Sequence, residues 1–143
     1  MFRTPPRALK GPGQSGLRSN GTGPRWTVVA ADGRTVCDRC SIADSFVPRL
    51  RGLLGRRRLA RGEGLLISPS SSIHTCFMRF PIDAVFLDRG FRVVHVSPNV
   101  RPWKLAGSRR ARLVLELAAG ESSRRGICSG EELALVVAAG GEA

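Results

Sequence analysis

The 143-residue sequence has no tyrosine, only two histidines and two lysines, and no apolar run near the roughly 20 residues that span a bilayer. It also has no Walker-type or dinucleotide-binding glycine loop, and no Gly-x-Ser-x-Gly nucleophile motif. The missing apolar run argues against an integral membrane protein. The missing motifs argue against a P-loop or dinucleotide-binding enzyme and against an α/β-hydrolase. No internal repeat is visible, so a solenoid is not indicated either.

Acidic residues are also scarce, because 11 Asp and Glu stand against 23 Lys and Arg. A basic surface attracts polyanions. The basic clusters are not interleaved with stacking aromatics, so a solvated basic face is favoured over a dedicated nucleic-acid protein. Residues 1–24 are rich in Gly, Pro, Ser and Arg and predict a disordered basic tail that contacts polyanions without specificity. Residues 25–140 predict a single β-rich domain.

The N-terminal segment lacks the apolar h-region of a secretory signal peptide. The expected location is therefore the cytoplasm. In that compartment the four cysteines are expected as reduced thiols rather than as a disulfide framework.

From residue 26 onward, short apolar runs alternate with turn residues. Residues 26–30 and 34–37 predict two strands joined by an Asp32-Gly33 hairpin turn. An amphipathic helix is predicted from Ser45 to Leu54, since its apolar residues recur on one helical face. The remaining runs predict a helical turn over 122–126 and strands over 64–68, 84–87, 91–97, 112–117 and 133–137. Together they predict a mostly β fold, a compact β-sandwich or barrel-like single domain with one short amphipathic helix.

Three blocks occur in a fixed order along the chain. The first is Arg51-Gly52-Leu53-Leu54-Gly55-Arg56, the second is His-Thr-x-x-Met-Arg-Phe-Pro-Ile-Asp from residue 74, and the third joins Val-Leu-Glu-Leu-x-x-Gly from residue 114 to Gly-Ile-x-x-Gly from residue 126. Over about residues 26–138 the chain resembles domain-of-unknown-function family 192 (DUF192), a set of small uncharacterised proteins mainly of bacteria and archaea. The resemblance implies a mostly β, sandwich-like fold and no established activity.

Asp83 lies inside an apolar run, where a carboxylate is costly to bury unless it is hydrogen-bonded or paired. As a functional group it would line a pocket and bind a cation, a basic substrate group or an arginine. As a structural group it would accept backbone N–H bonds from the 73–80 loop and fix the shape of that loop. The structural interpretation is favoured.

Glu116 lies in a strand-like run whose alternation could direct it outward with Val114. Arg56 is predicted to form a structural bridge with Glu116 or with Asp83. His74 could be a proton carrier, a metal ligand or a plain hydrogen-bonding group, and its structural role is favoured. His95 alternates with apolar neighbours and is predicted to face solvent.

The cysteines suggest a zinc hypothesis. Cys37 and Cys40 form a Cys-x-x-Cys pair, and His74 with Cys76 could complete a tetrahedral site. One Cys-x-x-Cys does not define a zinc site by itself, so the first expectation is that the protein has no cofactor.

Two functions remain open. The preferred hypothesis is a ligand- or protein-binding module built around the 68–83 loop, with Trp103 as an aromatic rim. The alternative is an enzyme or metal-dependent protein that uses His74 and Asp83, with Cys37, Cys40 and Cys76 as zinc ligands. The candidate contact residues are His74, Met78, Asp83, Arg51, Arg56, Glu116 and Trp103.

Overall fold

The structure is a computed structural model that describes residues 25–43, 59–76 and 78–137. The predicted tail over 1–24, the predicted helix over 45–54, and Arg51 and Arg56 all lie outside these ranges. The elements of the described ranges are β1 (Trp26–Ala30), β2 (Thr35–Ala43), β3 (Glu63–Ile67), β4 (Ser72–His74), β5 (Ile82–Leu87), β6 (Val93–Val100), β7 (Leu105–Gly107), β8 (Leu113–Ala118), α1 (Glu121–Arg124) and β9 (Leu133–Val137).

Seven of these strands form one sheet in the order β6-β5-β8-β3-β2-β1-β9, and β4 pairs with β7 in a separate two-stranded ribbon. Strands β2 and β3 run parallel, whereas the other paired strands are antiparallel. The large sheet curls into a half-barrel. The prediction of a mostly β, sandwich- or barrel-like fold is therefore confirmed.

Strands β5 and β8 lie inside the sheet and are buried at every position. Both sheet faces are covered there, so these strands are nearly continuous apolar runs rather than alternating ones. Because successive side chains point to opposite faces, Val85 and Leu87 enter one core and Ala84 and Phe86 enter another. We call the group that contains Trp26, Val28, Val85 and Leu115 the first core, and the group that contains Ile73, Met78, Phe86 and Val114 the second core.

The ribbon of β4 and β7 covers the second core, because Ile73 is buried in it and Ala106 packs against it. These two residues face each other across the ribbon. The outward-facing positions of the ribbon are therefore the flanking ones, Ser72 with Gly107 and His74 with Leu105.

The predicted Asp32-Gly33 hairpin is present, and a second hairpin joins β5 to β6. Gly33 takes a positive φ of 86° in the turn between β1 and β2. In the β5–β6 hairpin, Asp88 Oδ1 accepts the backbone N–H groups of Gly90 at 2.8 Å and Arg92 at 3.0 Å. Short polar side chains that bind backbone in this way are typical of tight turns.

Helix α1 is the helical turn predicted after β8, and ion pairs fasten it to β2. The buried Glu121 carboxylate accepts hydrogen bonds from Arg124 Nε at 2.6 Å and Arg125 Nε at 3.2 Å. Arg125 also donates to the Thr35 carbonyl at 2.9 Å and to Asp38 Oδ2 at 3.1 Å. Hydrogen bonds from Arg124 and then Arg125 hold the pKa of Glu121 below its ordinary value. None of the helices in the described ranges is long and apolar enough to span a membrane.

Candidate functional site

Asp83 is fully buried, and its carboxylate is surrounded by donors. Oδ2 accepts the Ser122 hydroxyl at 2.6 Å, the Ser122 N–H at 2.8 Å and the Gly120 N–H at 3.1 Å, while Oδ1 accepts the Asn99 N–H at 2.8 Å. Asn99 reaches this position because β6 bulges there and Asn99 adopts a φ of 50°. Within the described part of the chain, the donors to Asp83 thus belong to β6 and the β8–α1 corner, not to the 73–80 loop that the sequence suggested.

Asp83 and Glu116 lie on opposite faces of the sheet. Glu116 is paired with Ala84, so it shares the second-core face with Val114, while its neighbour Asp83 points to the first-core face. The prediction that Glu116 follows Val114 is correct in direction but wrong in exposure, because the second core buries that face and Glu116 is fully buried. Two carboxylates separated by a sheet cannot share a substrate or a proton.

His74 stands apart from Asp83 as well. It lies on the outer side of the ribbon, paired with Leu105, and the ribbon packs over the second core. Asp83 belongs to the other side of the sheet. Convergence of His74 and Asp83 in one pocket would favour catalysis, but the fold places these two residues on opposite sides of the sheet.

The four proposed zinc ligands are also dispersed. Cys37 and Cys40 are fully buried in the first core, whereas His74 and Cys76 belong to the ribbon side of the sheet. In residues 25–43, 59–76 and 78–137, no group of three or more His, Cys, Asp or Glu is placed to hold a metal ion. The zinc site predicted from Cys37, Cys40, His74 and Cys76 does not assemble within this part of the chain.

A β-bulge explains why both cysteines of the Cys-x-x-Cys pair enter the same core. Trp26 and Val28, two positions apart on β1, pair with Cys40 and Cys37, three positions apart on β2. The extra residue in β2 shifts the alternation of its side chains by one position, so Cys37 and Cys40 both face the first core. A hydrogen bond with the Cys37 thiol, together with burial, raises the pKa of the Cys40 thiol well above its ordinary value. Cys40 therefore resists forming the thiolate that zinc binding and disulfide exchange need.

Thr75, which follows the ribbon strand β4, joins two loops. This buried residue donates its N–H to the Lys104 carbonyl at 2.9 Å, and its carbonyl accepts the N–H groups of Trp103 at 3.0 Å and Met78 at 3.1 Å. Its hydroxyl accepts the Lys104 N–H at 2.8 Å and donates to the Arg101 carbonyl at 2.5 Å. Thr75 thus joins the end of β4 to residues 101–104 through its backbone and its hydroxyl.

The Thr75 hydroxyl stands between the two ends of the turn over residues 101–104. In an ordinary β-turn the first carbonyl binds the fourth N–H directly, but here Arg101 and Lys104 are bridged through Thr75. Trp103, the third residue, has a φ of 65°. Pro followed by a positive φ is the arrangement of a type II turn, where glycine is the usual third residue. A tryptophan in this conformation costs about 1–2 kcal/mol relative to ordinary backbone.

The turn and the ribbon present apolar side chains to solvent. Trp103 is 61% exposed and Leu105 is 82% exposed. Arg101 and Lys104 are exposed on either side of Trp103, and Leu105 is the cross-strand neighbour of His74. We call this group, made of His74, Arg101, Trp103, Lys104 and Leu105, the Trp103 surface.

The chain around the Trp103 surface carries charge of one sign. Between Asp88 and Glu116 there are seven Lys and Arg residues and no acidic residue. Within the described part of the chain, Arg101 and Lys104 form no ion pair with a carboxylate. Uncompensated cations beside exposed apolar groups make this surface suited to an anion that also carries an apolar or planar group.

The structure brings together two of the predicted site residues, His74 and Trp103. Met78 is a buried member of the second core, and Asp83 and Glu116 are held inside the sheet. Sequence reasoning missed Thr75, which looks like an ordinary strand residue until its partners from 101–104 are known. The visible signal for the Trp103 surface was the long stretch without acidic residues.

Sequence comparisons place the chain among uncharacterised proteins. The profile of the DUF192 family, described as "Uncharacterized ACR", matches residues 27–135. UPF0127 protein PH1112 of Pyrococcus horikoshii is 40% identical over 81 residues, which cover 52% of this chain and 68% of that relative. The profile match spans most of the described structure, including the second core, the first core apart from Trp26, and the Trp103 surface.

Two crystal structures are similar in fold. A Sinorhizobium meliloti protein, whose proposed role is that of a transcription regulator, has a TM-score of 0.68 and 26% identity over 78% of this chain and 92% of its own. A protein of unknown function from Novosphingobium aromaticivorans has a TM-score of 0.65 and 21% identity over 85% of this chain and 99% of its own. The second likeness concerns the fold alone.

Proposed function

Because the chain belongs to the DUF192 family, whose description assigns no activity, we propose from its structure that it is a binding module that takes an anionic partner at the Trp103 surface. The module is the one predicted around the 68–83 loop, with Thr75 as the connection between that loop and residues 101–104. The observation that carries the proposal is an exposed tryptophan, held in a left-handed conformation between two cations.

The backbone at Trp103 supports a role in binding rather than in folding. The ring adds little to either core, because most of it is exposed, yet its conformation is one that glycine would adopt without cost. The hydrogen bonds of Thr75 hold the turn in this form. Strain kept in place by a buried polar residue is more common at ligand sites than elsewhere.

The charge around the surface supports an anionic partner. Arg101 and Lys104 present cations on both sides of the ring, and no nearby stretch of sequence supplies a carboxylate. An anion would gain from both cations at once. A partner group that contacts another part of the module, whether acidic or neutral, would not gain this attraction. The Trp103 surface therefore also steers the approach of the partner.

Retention on immobilised heparin tests the proposal in the full chain. The double variant Arg101→Ala/Lys104→Ala is compared with Arg39→Ala/Arg89→Ala, which removes two exposed arginines from other parts of the fold. Both variants lose two positive charges and keep residues 1–24. We expect the first to elute at clearly lower salt than the second. Equal elution of the two variants would contradict the proposal, because net charge alone would then explain retention.

A second pair of variants tests the geometry of the surface without changing its charge. Thr75→Val removes the hydroxyl that bridges Arg101 and Lys104, whereas Thr75→Ser keeps it. We expect Thr75→Val to elute earlier than wild type and Thr75→Ser to elute with wild type, with circular dichroism showing that both are folded. Unchanged retention of folded Thr75→Val would mean that the bridged turn does not shape the anion site.

A further inference from the structure

We infer that the anionic partner is a single-stranded nucleic acid that stacks a base on Trp103, an inference that rests on the proposed function. The Trp103 surface combines two features used in sequence-tolerant binding of single strands, an aromatic residue that is 61% exposed and cations beside it. Trp103 stands between Arg101 and Lys104 in the sequence itself, and the structure shows that all three residues are exposed.

The fixed turn favours stacking. The Trp103 backbone is held by its N–H bond to the Thr75 carbonyl and by the bridging hydroxyl on both sides of it. The main chain under the ring is thus already ordered before a ligand arrives, which lowers the entropy cost of binding. A base placed on the ring would have the Arg101 and Lys104 side chains within reach of its phosphates.

More cations continue beyond the ribbon. The exposed Arg109 and Arg110 follow strand β7, whose three residues span about 10 Å. A ligand that contacts Lys104 and Arg109 together must therefore carry anionic groups in series, as a polynucleotide does and a mononucleotide does not. Exposed Ser71 and Ser72 lie along the same ribbon and offer hydroxyl groups of the kind that bind phosphate oxygens.

The same surface fits a duplex or a bilayer less well. The bases of a duplex are already stacked on each other, so their faces are not available to Trp103. Insertion into a bilayer needs a larger apolar area than one tryptophan and one leucine, and the outward positions next to Leu105 are His74, Ser72 and Gly107.

Trp103 can report its own contacts once Trp26 is replaced. Trp26 is buried in the first core and is the other tryptophan of the chain, so a full-length Trp26→Phe variant has Trp103 as its single indole. We expect an oligothymidylate of about 12 nucleotides to quench the Trp103 emission. A DNA duplex of the same length and vesicles of phosphatidylserine and phosphatidylcholine are expected to leave the emission unchanged.

Affinities measured by anisotropy of a labelled oligothymidylate complete the test. Trp103→Gly, which suits the positive φ, is expected to bind about tenfold more weakly or worse, and Trp103→Phe to recover part of the loss. Arg101→Ala/Lys104→Ala is expected to make the negative slope of log K against log salt shallower by about 1.4, because two phosphate contacts are lost. The Arg39→Ala/Arg89→Ala control is expected to keep the wild-type slope.

Several results would overturn the inference. They are binding without quenching of Trp103, equal quenching by the duplex, and a blue shift with vesicles in place of quenching by the oligonucleotide. Any of these, combined with a difference between the two double variants on heparin, would leave the proposed anion site standing and reject single-stranded nucleic acid as its ligand. Equal heparin retention of the double variants would reject both.

Discussion

Removal of the Asp83 carboxylate should destabilise the protein strongly without affecting the Trp103 surface. The carboxylate accepts four hydrogen bonds, two of them from Ser122 in a buried site. Leaving a buried donor unsatisfied costs about 1–3 kcal/mol, and the partly buried N–H groups of Asn99 and Gly120 can regain water at a cost of about 0.5 kcal/mol each. We therefore expect Asp83→Ala to lower the free energy of unfolding by about 4 kcal/mol.

Two further substitutions should reduce the free energy of unfolding by smaller amounts. Three of the four donors meet Oδ2 and one meets Oδ1. In Asp83→Asn the amide oxygen can take the Oδ2 position, so that only the Asn99 N–H faces a donor, and we expect a loss of about 1.5 kcal/mol. Ser122→Ala removes one hydroxyl and should cost about 1 kcal/mol. The order Asp83→Ala, Asp83→Asn, Ser122→Ala follows from the number of donors each change leaves unsatisfied.

Equilibrium unfolding in urea, followed by circular dichroism, measures these differences. Heparin retention of each folded variant should equal that of wild type, because Asp83 lies on the opposite side of the sheet from the ribbon. A loss below about 1 kcal/mol in Asp83→Ala would refute the account of this carboxylate as a structural clamp. Loss of retention in a variant of wild-type stability would assign Asp83 to the binding site instead.

Three other predictions concern separate parts of the fold. A Cβ atom on Gly64 would lie 2.7 Å from Cys37 Sγ, so Gly64→Ala should cost about 2 kcal/mol in urea unfolding, whereas Gly90→Ala, with its nearest contact at 3.4 Å, should cost much less. The lowered pKa of Glu121 means that its stabilising effect is complete above the ordinary pKa of a glutamate and is lost as the pH falls through the lower folded-state value. The difference in unfolding free energy between wild type and Glu121→Gln should therefore be largest near neutral pH and shrink in acid; a constant difference would contradict this. The exposed Cys128 should react with a thiol reagent in the native protein, and the buried Cys37 only after unfolding, as peptide mass spectrometry would show.

The long strands were predictable because their evidence is local. Runs such as Ile82–Leu87 and Leu133–Val137 contain their own apolar pattern, and the turns at Asp32-Gly33 and Asp88 carry residues suited to tight turns. The ribbon was missed because each of its strands has three residues and only Ile73 and Ala106 face the core. Such strands become visible only when their pairing partner is known.

The candidate site was harder to predict because its contacts are distant in sequence. Asp83 could be recognised as a buried carboxylate in need of donors, but those donors lie 16 to 39 residues further on. Alternation gave Glu116 the correct face, yet the burial of that face depends on the ribbon. The bulge in β2, which puts Cys37 and Cys40 in one core, leaves no mark in the spacing of the two cysteines.

Strand β9 lies beside β1 in an antiparallel pair, and this has a mechanical consequence. Trp26 faces Val137 across that pair, so these two residues lie side by side at the same end of the two strands. A force that pulls Trp26 and Val137 apart acts along the inter-strand hydrogen bonds, which run perpendicular to the strands. The bonds would then break one after another from that end, as in a zipper, instead of resisting together in shear. The protein should therefore yield at low force in this direction, however stable its cores are at equilibrium.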